Sequence, residues 1–267
     1  MRVLLTGSTG YLGEHVLRAF EGDDVTTVDT RNDFSVDLTQ FDCCIHLAWV
    51  AKAGDGDPDG QRSCARWTNH FGLAIKRTGM RVVFASTASV YGARNGDMEM
   101  IETDPVDPNC EYTRAKVAAE RSLRHHLGGD RLAVLRFGSL MGRGVTRTRT
   151  DLVVNAFASD AYAGRTVEVW NPDAWKPVVH VRDAAGIVVA AAREAWSGTY
   201  NVASRCLRAR EIAELARLQT GCEVREVLGS PNGLRSCRVS NAKVEAQLSG
   251  ILWREVPEAI AEFRSVE

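Results

Sequence analysis

A short apolar segment at the start of the chain leads into a glycine-rich turn, and this feature limits the possible folds more than any other. Residues 3–5 are predicted to form a strand, and Gly7, Gly10 and Gly13 then precede a helix predicted at 11–20. Glycines at this spacing allow a sharp turn and the close approach of a pyrophosphate, which the free N–H groups of a helix N-terminus attract. The sequence therefore predicts a strand, turn and helix that bind a dinucleotide.

The first half of the chain continues this alternation of short apolar segments and longer amphipathic ones. Such alternation is typical of βαβ units, in which helices cover both faces of a parallel sheet. Further strands are predicted at 25–28, 43–47, 82–85 and 132–135, and further helices at 62–78 and 111–127. We therefore expect an α/β fold, a Rossmann-type doubly wound parallel sheet.

The pattern changes after Arg136, where a polar stretch precedes a helix predicted near 151–163. The chain is then expected to return to the sheet at 178–181 and 199–202. The last third is predicted to contain helices near 209–220, 241–248 and 256–264 and a strand at 223–227. We interpret it as a small discontinuous C-terminal substrate lobe over the edge of the sheet where open α/β folds bind ligands. The predicted division gives 1–140 plus 176–205 to the dinucleotide-binding domain, and 141–175 plus 206–267 to the substrate-binding lobe.

The charge balance argues against nucleic acid or an anionic membrane as a partner. The 267 residues carry a formal net charge of −1, so no overall field attracts polyanions. No apolar stretch approaches the roughly 20 residues that cross a bilayer. Seven cysteines without a Cys-x-x-Cys spacing and six histidines indicate no metal site. We expect a cytoplasmic protein with reduced thiols that binds small molecules.

Residues after the second predicted strand bear on the choice of dinucleotide. Asp29 lies 16 residues after Gly13, where a carboxylate accepts hydrogen bonds from ribose hydroxyls and repels a 2′-phosphate, which favours NAD. Arg31 could instead hold a 2′-phosphate, so NADP stays open. Asp37, followed by Leu38, either closes the adenine pocket or is a loop aspartate.

Tyr112 and Lys116 form a Tyr-x-x-x-Lys pair on the helix predicted at 111–127. Four residues make about one helical turn, so the phenol and the ammonium lie on the same face. A cation beside a phenol favours the phenolate, which turns a tyrosine into a usable proton relay for a hydroxyl group. A hydride leaves a carbinol carbon only if the hydroxyl proton leaves too, so such a base needs a hydrogen-bonding partner. Thr87 is the candidate partner.

Six short motifs follow one another along the chain. They are the Gly-x-x-Gly-x-x-Gly turn, His46-Leu47-Ala48, Asn69-x-x-Gly72, the serine-rich segment 86–92, Tyr112-x-x-x-Lys116 and His180-Val181-Arg182-Asp183. Together they resemble the extended short-chain dehydrogenase/reductases and, more narrowly, the NAD-dependent sugar-nucleotide epimerase/dehydratase group. The matches run from residue 3 to about residue 202.

The resemblance implies a role for individual residues. Tyr112 would be the acid/base, Lys116 would bind the nicotinamide ribose, and Thr87 would share the substrate proton. The implied cofactor-binding residues, besides Tyr112, Lys116, Asp29, Arg31, Asp37 and Leu38, are Gly7, Thr9, Gly10, Tyr11, Leu12, Gly13, Leu47, Ala48, Trp49 and Asn69. The implied substrate-binding residues are Thr87, Ser89, Tyr112, Ser139, Lys176 and Arg235. The helices near 62–78 and 111–127 correspond to the pair through which many relatives form a homodimer.

The residues around Thr87 narrow the reaction. Family members that dehydrate a sugar at the 4,6-position have an Asp-Glu pair after the threonine, whereas Ala88 and Ser89 stand here. The 3,5-epimerase/reductases that resemble GDP-fucose synthase place a cysteine near the serine cluster, and none is expected there in this chain. What remains is NAD(P)-dependent oxidoreduction at one carbon, C4, of a nucleotide-linked sugar.

Two reactions satisfy this description. The first is a sugar-nucleotide 4-epimerase, and the second is a 4-keto sugar reductase or 4-dehydrogenase that exchanges its cofactor or product. The segment 29–42 is too short for the usual helix and strand, and this resembles the dTDP-4-keto sugar reductases. A noncatalytic dinucleotide-binding protein is the alternative from another class, since fold alone does not fix function. The presence of Thr87, Tyr112 and Lys116 argues against it.

Overall fold

The computed structural model describes residues 1–30, 36–50, 57–93, 98–227, 236–248 and 250–264. The strands in these ranges are β1 (Arg2–Thr6), β2 (Asp24–Val28), β3 (Cys43–His46), β4 (Arg81–Thr87), β5 (Glu99–Met100), β6 (Leu132–Phe137), β7 (Ser139–Met141), β8 (Val167–Trp170), β9 (Trp175–His180), β10 (Gly198–Val202), β11 (Arg205–Arg208), β12 (Val224–Val227) and β13 (Arg238–Val239). The helices are α1 (Tyr11–Ala19), α2 (Pro58–Ile75), α3 (Glu111–Leu127), α4 (Val153–Tyr162), α5 (Val181–Arg193), α6 (Ala209–Thr220), α7 (Ala242–Gln247) and α8 (Val256–Ala261).

A six-stranded sheet in the order β2-β1-β3-β4-β6-β10 forms the centre of the fold. Every pair in it is parallel; Leu4 of β1, for example, lies opposite Thr26 on one side and Cys44 on the other. The chain leaves β1 towards β2 and later returns to its other side as β3. A crevice therefore opens beyond the carboxyl ends of β1 and β3, where doubly wound sheets bind ligands. The predicted fold class is confirmed.

Helices cover both faces of this sheet, and the alternation of side chains along β1 shows how. Val3 and Leu5 belong to the apolar cluster formed with α1 and α5, whereas Leu4 between them belongs to the cluster formed with α2 and α3. All three side chains are fully buried, as expected for a central parallel strand with period-two alternation.

The start of α3 fixes the position of the Tyr-x-x-x-Lys pair. Cys110 precedes the helix in an extended conformation, and its backbone N–H donates to the hydroxyl of Thr113 at 3.2 Å. That hydroxyl also donates to the carbonyl of Cys110 at 2.9 Å. The chain becomes helical at Glu111, so Tyr112 and Lys116 lie on the first two turns, next to the end of β4.

A second apolar cluster lies among α4, α6, α8 and the strands β8 and β9. The sequence interpretation returned 178–181 to the central sheet, and this expectation was wrong. β9 pairs instead with β7 and β11 in a separate three-stranded sheet. The helix α5, which the sequence interpretation missed, begins at Val181 because His180 accepts a hydrogen bond from the N–H of Arg182 at 3.2 Å. The division into two domains stays a prediction.

The connection between β2 and β3 is short. In its described part, residues 29–30 and 36–42, the structure has only a 3-10 turn at Leu38–Gln40. Asp37 begins this turn and accepts a hydrogen bond from the N–H of Thr39 at 3.0 Å. Within the ranges that the structure describes, we find no helix with the length and apolar character needed to cross a membrane.

Candidate active site

A cleft with a volume of about 480 Å³ opens at the carboxyl ends of β1, β3 and β4. One side of it is formed by the central sheet with α1 and α3, and the other by residues of the segment 137–153 and of β9. It brings together most of the site residues predicted from the sequence. Those that line it are Gly7, Gly10, Tyr11, Leu12, Gly13, Leu47, Trp49, Thr87, Ser89, Tyr112, Lys116, Ser139 and Lys176.

The glycine turn forms a cradle that no larger residue would fit. Gly7 has φ +75°, and a Cβ on it would lie 2.6 Å from the N–H nitrogen of Ala48. A Cβ on Gly13 would lie 2.0 Å from the carbonyl oxygen of Gly7. The glycines therefore keep the turn tight against neighbouring backbone, and Gly7, Gly10 and Gly13 line the cleft at the N-terminus of α1. This geometry fits the pyrophosphate of a dinucleotide.

Tyr11, inside the glycine motif, is tied to the segment that precedes α4. Its hydroxyl donates to the carbonyl of Gly142 at 2.5 Å and accepts from the amide of Asn155 at 3.1 Å. Burial raises the pKa of Tyr11 well above its ordinary value. Its phenol therefore stays neutral and fixes the far wall of the cleft against α1.

Lys116 is a buried cation at the centre of the cleft. Its side chain is almost fully enclosed, and Nζ donates to the carbonyl of Ala85 at 2.7 Å. Burial lowers the pKa of Lys116 from 10.5 to about 7, while Cys64 and Glu120 raise it. Tyr112 is half-buried one turn earlier and lines the same cleft. The phenol and the ammonium therefore share one site.

Thr87 ends β4 at the floor of the cleft. Its hydroxyl oxygen accepts a hydrogen bond from the N–H of Ser89 at 3.2 Å and so starts a 3-10 turn at Ala88–Tyr91. Thr87 is buried apart from the surface that faces the cleft. The threonine hydroxyl retains its own hydrogen to donate, so it can contact a substrate hydroxyl beside Tyr112.

A buried polar network lies beneath Thr87, and sequence reasoning missed it. The hydroxyl of Ser86 donates to Glu120 at 2.5 Å, and Glu120 forms an ion pair with Arg136 at 2.8 Å. Arg136 donates to the hydroxyl of Tyr91 at 2.9 Å, and that hydroxyl donates to Asn201 at 2.8 Å. The network joins β4, α3, β6 and β10. The position of Glu120, one helical turn after Lys116, was the available sequence signal.

The opposite side of the cleft is charged and more open to solvent. Arg149 forms two hydrogen bonds to Asp151, at 2.6 and 2.5 Å. The guanidinium carbons of Arg208 and Arg238 lie 5.0 and 4.7 Å from the centroid of the Trp175 ring. Cations and an aromatic ring at one edge of a cleft can bind an anionic, ring-containing ligand.

A cysteine lies against the serine cluster, contrary to the sequence-based expectation. Sγ of Cys237 donates to the carbonyl of Ala88 at 3.6 Å, across the fold from its position in the sequence. Burial raises the pKa of Cys237 to about 12. The thiol is therefore neutral near pH 7 and does not serve as a base there. Its position could not be inferred from sequence spacing because it depends on tertiary packing.

The remaining predicted residues lie elsewhere. Asn69 points away from the cleft: its side-chain oxygen accepts from Ser122 at 2.6 Å and from His126 at 3.0 Å, which ties α2 to α3. Five other residues that were predicted to bind the cofactor do not line the cleft; they are Thr9, Asp29, Asp37, Leu38 and Ala48. Of these, Ala48 contacts the glycine turn. Arg31 and Arg235 lie outside the described residues.

Comparison with known proteins yields a family and several similar structures. A family model described as "NAD dependent epimerase/dehydratase family" matches residues 3–203. The UDP-glucose 4-epimerase of Thermus thermophilus, solved with NAD, superposes with a TM-score of 0.82 at 24% identity over 100% of both chains. MoeE5, solved with UDP-glucose and NAD, gives 0.82 at 23% identity over 99% of this chain and 97% of the other. RMD of Pseudomonas aeruginosa, solved with NADPH, gives 0.81 at 18% identity over 99% and 98%.

Proposed function

The chain belongs to the NAD-dependent epimerase/dehydratase family, and we propose that it oxidises and reduces one carbon, C4, of a nucleotide-linked sugar as a sugar-nucleotide 4-epimerase. The observation that carries the proposal is the single cleft lined by the glycine turn of α1 and by Thr87, Tyr112 and Lys116. A protein that only binds a dinucleotide has no need for a threonine, a tyrosine and a buried lysine together on the floor of the cleft.

The chain's own residues account for the proton chemistry. Tyr112 would accept the proton of the C4 hydroxyl and return it, and the hydroxyl of Thr87 would hold that oxygen in place. The Lys116 ammonium, one turn from the phenol, would favour ionisation of Tyr112. A bound nicotinamide supplies the hydride acceptor and donor. For epimerisation the keto sugar must then turn within the cleft, so the nucleotide end has to be held separately.

The cofactor would lie along the carboxyl edge of the sheet. Its pyrophosphate would contact the backbone of Gly7, Gly10 and Gly13, and its nicotinamide ribose would contact Lys116. Asp29, exposed at the end of β2, supports NAD over NADP because a carboxylate repels a 2′-phosphate. NADP stays the alternative cofactor.

The nucleotide end of the substrate would lie against the charged side of the cleft. Lys176 and Arg149 supply positive charge there, and Trp175 supplies an aromatic face. Ser139 lines the same side. The similar structures solved with UDP-glucose and with UDP-glucuronic acid make uridine diphosphate sugars the first class to test.

Among the described residues, no carboxylate pair follows Thr87 along the cleft floor, and this supports redox at one carbon over elimination. Ala88 and Ser89 follow Thr87 on the cleft floor, and neither side chain titrates near neutral pH. The Cys237 thiol that approaches from the other side is held neutral by burial. A 4-keto sugar reductase stays the second candidate, because the connection between β2 and β3 has only a 3-10 turn in its described part.

We also propose a homodimer through α2 and α3. The outer face of this pair has Leu73 with 58% of its surface exposed, but its exposed ionic side chains are mostly cations. They are Arg62, Arg66, Arg114, Arg121 and Arg124 on the two helices, with Lys76 and Arg77 directly after α2. Such faces would repel one another in a symmetric dimer, so we expect the dimer to be stronger at high salt. Light scattering that finds a monomer at all salt concentrations would contradict the proposal.

The function is tested by purification followed by a substrate screen. Mass spectrometry and absorbance would identify any cofactor that is retained, and UDP-, GDP-, CDP- and dTDP-sugars would then be supplied. Retained NAD and a 4-epimer without net redox change support the epimerase. Stoichiometric consumption of added NADH or NADPH with a 4-keto sugar supports the reductase. Cofactor binding without turnover on any of these sugars contradicts both.

A further inference from the structure

The buried side chain of Lys116 needs other groups to stabilise its positive charge. The side chain is 4% exposed, and a buried ammonium is costly unless other groups replace the water it has lost. An ammonium has three N–H donors, and the Ala85 carbonyl accepts from it at 2.7 Å. A single neutral carbonyl replaces only part of the lost hydration.

An indole ring lies directly over the ammonium. Nζ of Lys116 is 3.8 Å from the centroid of the Trp49 ring and 4.9 Å from that of Phe84. The face of an aromatic ring attracts a cation, and indole is the strongest of the natural rings in this respect. The attraction is larger in a desolvated site such as this one. Trp49 is therefore the nearer and stronger of the two aromatic contacts.

Trp49 is held in this orientation by a buried amide. Its indole N–H donates to the side-chain oxygen of Gln61 at 2.6 Å. Gln61 is fully buried on α2, and its amide nitrogen donates back to the carbonyl of Val50 at 3.4 Å. The edge of Trp49 also meets Phe84, with ring centroids 5.9 Å apart. The plane of the indole is thus fixed by contacts that do not involve a ligand.

We propose that Trp49, oriented by Gln61, is a positioning residue that holds the Lys116 ammonium beneath its ring and beside Tyr112. The proposal rests on the proposed function for its catalytic meaning, because a charged Lys116 assists Tyr112 only in an oxidoreductase. The geometry itself does not depend on the substrate. It assigns a purpose to a tryptophan and a buried glutamine that the proton chemistry leaves unused.

Other ionisable groups face Lys116 from each packed element. Cys64 on α2 and Glu120 on α3 raise the pKa of Lys116, and Tyr112 lies on its own helix. His46 on β3 is fully buried, and burial lowers its pKa to about 3, so it adds no positive charge at neutral pH. Glu120 is already paired with Arg136. The charged and neutral forms of Lys116 are therefore closely balanced, and loss of the indole face should favour the neutral amine.

Three variants separate the ring from its orientation. Trp49→Leu removes the aromatic face and keeps an apolar side chain. Trp49→Phe keeps a weaker face and loses the N–H, and Gln61→Met removes the acceptor that fixes the indole. Trp196→Leu is the matched control. Trp196 is a buried tryptophan in the apolar cluster formed with α1 and α5, and its N–H donates to Glu194 at 2.9 Å.

The readout is the ionisation of Lys116 itself. The chain contains five lysines, so 13C NMR of labelled lysine Cε, assigned with Lys116→Met, can follow one titration in the protein as purified. We expect the midpoint for Lys116 to fall by about one unit in Trp49→Leu, since a desolvated cation–π contact of ordinary strength corresponds to a shift of that size. Trp49→Phe and Gln61→Met should give smaller shifts in the same direction, and Trp196→Leu none.

The titration needs no substrate, so it stands or fails apart from the proposed function. The three test variants are Trp49→Leu, Trp49→Phe and Gln61→Met. The proposal would be overturned if the Lys116 midpoint is unchanged in all three and at least one of them has native circular dichroism. If turnover is found, the alkaline limb of kcat should move down in pH with the midpoint while KM stays constant. A variant that changes kcat equally at all pH values, with the Lys116 midpoint unmoved, would indicate a structural effect only.

Discussion

The two sides of the cleft are built in different ways. One side, here the reaction wall, comprises Thr87, Tyr112 and Lys116 and rests on the ion pair of Glu120 and Arg136, whose side chains are only 3% and 6% exposed. The other side, here the substrate wall, comprises Arg149, Asp151, Trp175 and Lys176, and the side chains of its ion pair are 26% and 57% exposed.

This difference determines which residues of the cleft can be replaced without loss of the fold. A buried pair is costly to break because one charge is then left without a partner in the interior. An exposed pair contributes little to the free energy of unfolding, so its residues can be replaced without loss of the fold. In the proposed function, the proton chemistry is thus tied to the core, while recognition of the nucleotide would depend on residues at the surface.

The largest expected effect follows from removal of the phenol of the reaction wall. Tyr112→Phe removes the proposed proton relay, and general acid–base groups contribute about 10²–10⁴-fold to rate. We expect kcat to fall by about a thousandfold or more, with the Kd for NAD changed by less than about threefold. Tyr162→Phe, in the second apolar cluster, is the matched control and should keep kcat. Full activity in Tyr112→Phe would remove the catalytic assignment.

Comparable variants in the two ion pairs test the contrast itself. Glu120→Ala should lower the free energy of unfolding by about 3–5 kcal/mol, because Arg136 is left buried without its partner. Asp151→Ala should lower it by less than about 1 kcal/mol. Urea denaturation of both variants measures the difference. Equal losses would show that the two walls are not supported differently.

The pKa of the buried residue His46 allows a prediction of how the free energy of unfolding depends on pH. His46 is buried between the hydroxyls of Thr6 and Thr68, at 2.8 and 2.9 Å, and burial lowers its pKa from 6.5 to about 3. The unfolded chain therefore binds a proton below pH 6.5 that the folded chain does not bind until about pH 3, so stability falls as the pH falls through this window.

Between pH 7 and pH 5 this corresponds to a loss of about 2 kcal/mol in the free energy of unfolding. Urea denaturation at both pH values measures it, and His46→Gln should show a smaller pH dependence than the wild type. Glu262, whose pKa is lowered to about 2, contributes only below pH 4.5, so it does not confuse this interval. An equal pH dependence in the variant would contradict the assignment.

The smallest expected effect lies on the substrate wall. Lys176→Ala removes one cation that would contact the substrate diphosphate, and a charge-assisted hydrogen bond of ordinary strength corresponds to about a tenfold rise in KM. We expect kcat to stay within about threefold. Lys176→Arg should restore KM, because it returns the charge. Steady-state kinetics on the preferred sugar measures both, and a large fall in kcat would place Lys176 in the chemistry instead.

The reaction wall was largely predictable from the sequence, because local spacing determines it. Tyr112 and Lys116 are one turn apart on one helix, and the neighbouring turn of Gly7, Gly10 and Gly13 surrounds the start of α1. Periodicity also located the strands of the central sheet. The missed helix α5 follows β9 without any connecting residues, so its apolar start at Val181 was read as the end of a strand.

The long-range contacts around the cleft were less predictable, since tertiary packing brings their members together. Cys237 reaches Ala88 from 149 residues away, and no spacing rule connects them. Asn69 shows the opposite case: a motif residue whose side chain the structure directs at α3, away from the cleft. The partner of Glu120 was equally hidden, because Arg136 lies on a strand, β6, that the sequence marks only as buried.

The mass of the sugar product tests the central claim most directly, namely that the reaction wall carries out redox at one carbon without elimination. The protein as purified would be incubated with each nucleotide sugar, and the products would be separated and weighed by mass spectrometry. We predict a product of unchanged mass that differs only in its C4 configuration. A product lighter by one molecule of water would contradict the account, because it would require an acid/base pair that Ala88, Ser89 and the neutral Cys237 thiol do not provide.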